Sequence, residues 1–87
     1  MKHAGPAALD SLEPVLGRLR AMGGLSEKGR GVFYLKSRAF LHFHEDPAGL
    51  FADIRAPGAA DFERIRVDDD EGRRAVLAVA ETALGKA

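Results

Sequence analysis

Between Val32 and Arg55 the chain carries three apolar runs divided by two very short breaks. The runs are Val32–Leu35, Ala39–Glu45 and Leu50–Arg55, rich in β-branched and aromatic residues. The breaks are Lys36-Ser37-Arg38 and Asp46-Pro47-Ala48-Gly49; in the second, proline fixes φ and glycine is free to turn. Connections this short leave consecutive strands only antiparallel hairpins. A fourth strand is predicted over residues 62–67, where apolar and charged residues alternate.

Helices are predicted on either side. Leu9, Leu12, Leu16 and Leu19 share a helical face. With Ser11 as N-cap, Pro14 falls in the first turn, so the helix is placed at 11–22 and ended by Gly23-Gly24. Residues 25–31 read as a polar, glycine-rich connector. A second helix is predicted over 70–84, with Val76, Leu77, Ala80, Ala83 and Leu84 as its stripe and Gly85 as its stop. Negative charge at Asp68–Glu71 suits its N-terminus. The expected fold is a single α+β domain over 1–87. It is a two-layer sandwich ordered α-β-β-β-β-α, an antiparallel sheet with two helices on one face.

Register decides which side chains share a face. A three-residue first bend pairs Leu35 with Ala39 and Phe33 with Leu41. A four-residue second turn pairs Glu45 with Leu50, His44 with Phe51 and His42 with Asp53. One face then holds Phe33, Leu35, Ala39, Leu41, Phe43, Leu50, Ala52 and Ile54, extended by Ile65 and Val67, beneath the helices. The other holds Tyr34, Phe40, His42, His44, Phe51, Asp53 and Arg55, with Lys36, Arg38, Arg64 and Arg66 toward its edges. A solvated antiparallel face is ordinarily polar, so aromatic rings and histidines there mark a binding surface. A second copy of the chain is its first expected partner, giving a non-enzymatic interaction domain.

His42-Phe43-His44 gives the surface its chemistry. Histidines at i and i+2 on a strand project the same way, roughly 6.5–7 Å apart at Cα. Two imidazoles so placed can converge on one divalent transition metal such as zinc or ferrous iron, with Asp53 across the ladder as a third ligand. A third reading stacks unpaired nucleic-acid bases on Tyr34, Phe40 and Phe51 with arginines at the phosphates. It is not favoured, because 13 Lys+Arg against 13 Asp+Glu leave a net charge of zero. Lys28-Gly29-Arg30-Gly31 precedes a strand rather than a helix, so it lacks the usual phosphate cradle. His42 and Asp53 have the makings of a base and its orienter, but no serine sits in a nucleophile elbow, so no catalytic residues are assigned.

With no cysteine there is no disulfide or thiolate site. No apolar run is long enough for a membrane span or a secretory leader, so a cytoplasmic protein without membrane contact is expected. The segment Phe40-Leu41-His42-Phe43-His44-Glu45-Asp46, followed by Leu50-Phe51-Ala52-Asp53-Ile54, resembles the small bacterial luciferase-domain family over about the second half of the chain. The matching positions are His42, His44, Asp46 and Asp53. The resemblance implies the same architecture; the family's name speaks of light emission, and no such activity is inferred from it. The layout and the segment Tyr34–Phe43 are also similar to the MmcQ/YjbR group, which implies two helices on one face of an antiparallel sheet. That group is often labelled DNA-binding, but a likeness of topology carries no function.

Overall fold

The computed structural model describes residues 2–85 and has the expected α+β architecture. The elements run β1 (Lys2–His3), α1 (Pro6–Ser11), α2 (Glu13–Met22), β2 (Ser26–Gly29), β3 (Val32–Leu35), β4 (Arg38–Asp46), β5 (Gly49–Ile54), β6 (Glu63–Arg66) and α3 (Asp70–Ala83). All strand pairings are antiparallel, in the order β2-β3-β4-β5-β6. β1 joins β4 through Lys2↔Glu45 and His3↔His44, continuing the lane that β3 leaves after Val32↔His42. One core cluster draws Leu9, Leu12, Val15, Leu16 and Leu19 from the N-terminal helices and Val76, Leu77 and Ala80 from α3. The sheet contributes Phe33, Phe40, Leu41, Phe43, Ala52 and Ile54, so the helices cover one face. Among the described residues, no helix is long and apolar enough to cross a membrane.

The structure departs from the sequence reading at four places. The first is the helix placed at 11–22, which is two helices broken at the fully buried Leu12. Proline explains the break. Pro14 lacks an N–H, and in a continuous helix its ring would strike the carbonyl of Asp10. The chain therefore starts again, with Pro14 in the first turn of α2 and Pro6 in that of α1. Ser11 does not cap α2; its hydroxyl donates to the Ala8 carbonyl at 2.7 Å.

Second, residues 25–31 are not a plain connector. Ser26–Gly29 form an edge strand paired to β3, with a bulge between Glu27 and Gly29. The Glu27 carboxylate accepts from the Gly31 N–H at 2.9 Å and pairs with Arg20, tying the turn to α2. Gly31 lies at φ 81°, where a Cβ would press on Leu9.

Third, the β3–β4 connection is a two-residue turn, Lys36-Ser37, in place of the three-residue bend. Leu35 pairs with Arg38 and Tyr34 with Ala39, then Phe33 with Leu41 as expected. Phe40 is the extra residue of the resulting bulge. A bulge re-aims its side chain, and Phe40 lies in the core at 2% exposure while Ala39 is half-buried. The sequence reading had assigned the two to opposite places. Fourth, β1 was not expected at all.

The second hairpin has the expected register throughout: Glu45↔Leu50, His44↔Phe51 and His42↔Asp53. α3 also begins where acidic residues gather. Asp69 caps it by accepting from the Gly72 N–H at 2.9 Å. Gly72 is required there, since a Cβ would collide with the Arg66 carbonyl.

Candidate metal centre on the open sheet face

β4 and β5 set the geometry of the site. Regular alternation along β4 places His42 and His44 on the face away from the helices, with Asp53 beside them on β5. β1 adds His3 directly opposite His44. Glu45 anchors that strand. Its carboxylate accepts from the Gly5 N–H at 2.6 Å and lies 3.8 Å from the Lys2 ammonium, while the Ala4 N–H donates to the Phe43 carbonyl at 3.0 Å. The chain contains three histidines, and all three gather here.

One ring nitrogen from each of His3, His42 and His44 lies within 4.8 Å of the others. His42 Nδ1 and His44 Nε2 are 2.7 Å apart, sharing one proton. The His3 ring stacks on His44 with centroids 5.0 Å apart. Burial, then the neighbouring His44, pushes His42 below the ordinary histidine range, against the pull of Asp53. A neutral imidazole is the form that binds a metal. His44 Nδ1 is buried with no hydrogen-bond partner among the described residues. Whichever tautomer His44 adopts, that atom is an unsatisfied donor or acceptor, a state that buried polar groups rarely keep.

Asp53, expected as a direct ligand, is committed elsewhere. Arg64 on β6 donates to both its oxygens, at 2.8 and 2.9 Å. That guanidinium holds the Asp53 carboxyl below the usual carboxylate range, although burial opposes it. Asp53 Oδ2 lies 3.4 Å from His44 Nε2. That is the nitrogen that also faces His42, so Asp53 sets its negative charge on the side of the ring where the histidines converge. Sequence reasoning found His42, His44 and Asp53 but missed His3. Its partners lie some forty positions away, so no local spacing signals it.

The other expected surface residues are dispersed. Phe40 is in the core, so the three-ring platform of Tyr34, Phe40 and Phe51 is not presented on one face. Tyr34 is half-buried, with the Lys28 ammonium 6.0 Å from its ring. Phe51 lies under Arg66 at 5.7 Å. Arg55 donates to the Ala39 carbonyl at 2.6 Å and stacks at 4.6 Å on Phe62, whose ring meets His42 edge-on at 5.0 Å. Phe62 therefore walls one flank of the histidine cluster, a role its place ahead of β6 did not announce.

Such a group can hold a cation through three neutral nitrogens and leave a coordination position for water or an anion. In comparisons with known proteins, no family model, no curated protein and no solved structure matches this chain, so its function is argued from the geometry alone.

Proposed function

We propose that this chain is a binding domain whose open sheet face holds a divalent transition metal, zinc by preference, through His3, His42 and His44. The observation that carries the reading is the convergence of every histidine in the chain to within 4.8 Å. Three imidazoles suit zinc, which binds nitrogen at about 2.0–2.1 Å and in a tetrahedron spaces its ligand nitrogens about 3.3 Å apart. His42 and His44 open slightly from their shared proton, and His3 closes in. For both facing nitrogens to ligate the ion, the shared proton moves by way of solvent to the other nitrogen of its own ring, so that both imidazoles stay neutral. Asp53, held by Arg64, supplies the nearby negative charge that three neutral ligands lack.

Zinc titration of the chelator-stripped protein tests this. Zinc at about a hundredfold over its dissociation constant stabilises by about 2.7 kcal/mol, which moves the melting temperature by roughly 10–20 °C in a domain of this size. His3→Ala and His42→Ala each remove most of that rise. Asp53→Asn removes the negative charge nearest the ion and weakens affinity by about tenfold or more. The reading fails if excess zinc leaves the melting temperature unchanged, or if His3→Ala responds like the parent.

A further inference from the structure

Away from the histidines, the β3–β4 turn, the segment after β5 and the C-terminal end of α3 enclose a cavity of about 270 Å³. Its wall divides by chemistry. Leu35, Phe40 and Ala83 give an apolar floor, and Lys36, Arg38 and Arg55 give three cations at the rim. Among the described residues no carboxylate lines it, and none forms an ion pair with any of the three cations. Elsewhere four arginines are matched, Arg20 with Glu13 and Glu27, Arg30 with Asp10 and Glu13, Arg64 with Asp53 and Arg66 with Asp68, whereas Arg73 donates to the Val67 and Ser11 carbonyls and Arg18 and Arg74 form no ion pair among the described residues. Three cations lining one apolar hollow give it a positive potential that favours an anion.

The backbone adds an independent sign. Lys36 and Ser37 both have positive φ, 52° and 67°, in a turn whose central positions favour Asn-Gly. A side chain at such a position strains the backbone, and strain of this kind is retained where a side chain has another task. Lys36 is the turn residue that reaches the cavity.

We propose that this cavity binds a small organic carboxylate, with its acid group among Lys36, Arg38 and Arg55 and its apolar body on Leu35, Phe40 and Ala83. The planar fork of Arg38 matches a carboxylate, and Arg55 keeps donors beyond the one spent on Ala39. The volume sits just below the range of pockets for drug-sized ligands, so the body is a single ring or a short chain.

The test is an amide chemical-shift titration of the full chain in chelator, which removes any contribution from a metal. The probes are benzoate, octanoate, the uncharged benzamide and inorganic phosphate. Benzoate or octanoate is expected to saturate shifts at Leu35, Arg38, Phe40, Arg55 and Ala83. Benzamide and phosphate bind at least tenfold more weakly, each having only half of the recognised chemistry. Arg38→Gln weakens the carboxylate about tenfold, the usual worth of a charge-assisted bond. Lys36→Asn also weakens it while leaving the melting temperature equal or higher, because asparagine accepts the turn's backbone. A purely structural Lys36 would lose stability without any change in binding. The proposal is overturned if neither carboxylate saturates, if benzamide matches benzoate, or if Lys36→Asn and Arg38→Gln leave affinity intact.

Discussion

β4 belongs to two hairpins, and they are built differently. With β5 it forms an unbroken ladder of six pairs from Leu41↔Ile54 to Asp46↔Gly49. With β3 it forms a ladder interrupted by a bulge and closed by two residues at positive φ. The regular half delivers side chains by strict alternation and so brings His42, His44 and Asp53 to one face. The irregular half breaks alternation, turns Phe40 into the core and opens a cation-rimmed hollow beside its turn. One strand thus offers two kinds of site: one made by keeping the period of two, the other by violating it.

The sharpest way to separate the halves is to truncate one side chain in each. Phe40→Ala removes a ring at 2% exposure from the core cluster and is expected to cost about 3–5 kcal/mol. His44→Ala, inside the regular ladder opposite Phe51, removes a half-buried ring and stays within about 1 kcal/mol without metal. Urea midpoints measure both. Should Phe40→Ala leave too little folded protein, Phe40→Leu gives the same ordering on a smaller scale. Equal losses at the two positions would mean that the bulge does not re-aim Phe40.

The same division explains what could be read from residues alone. The β4–β5 register follows from Asp46-Pro47-Ala48-Gly49, whose proline and glycine announce a four-residue turn. In β3–β4 the pair Phe33↔Leu41 was read correctly, but the pairing at the turn was missed because Lys36-Ser37 has none of the residues that normally signal a tight turn with positive φ. A three-residue bend fits the pattern equally well, and it puts Phe40 on the wrong face. The break at Leu12 was half legible: Pro14 was recognised as needing a first turn, but Pro6 was not seen to start a helix of its own. His3 was hidden for another reason. Its strand is two residues long and exists through contacts with Glu45 and Phe43, far along the chain, which no periodicity records.

The strained turn can be relaxed without touching either site. Ser37→Gly places glycine where φ is 67° and is expected to stabilise by about 0.5–1 kcal/mol, the relieved strain exceeding glycine's extra freedom in the unfolded chain. The melting temperature rises by about 2–8 °C. Zinc and carboxylate binding are unchanged, since Ser37 lies outside the three-histidine group and does not line the cavity. A fall in stability would show that Ser37 has work in the turn beyond its backbone.

A third hairpin, β2–β3, uses neither strict alternation nor strain; a carboxylate holds its turn. Glu27 accepts from the Gly31 N–H and from Arg20, and Arg20 keeps its carboxyl below the usual glutamate value of 4.5. A carboxyl lowered in the folded state binds its proton less readily there than in the unfolded chain. Its contribution is therefore complete above pH 4.5 and is lost as pH falls from there through the lower folded value. Glu13, lowered chiefly by Arg30 and then by Arg20, acts in the same direction. Glu27→Gln is expected to flatten the acid limb of the stability curve below pH 4.5, with a small separation because surface pairs contribute little. Urea midpoints at pH 7, 4.5 and 3 in chelator measure it. Parallel curves for parent and variant would show that the turn holds without the charge on Glu27, leaving Gly31 as the feature that makes this hairpin close.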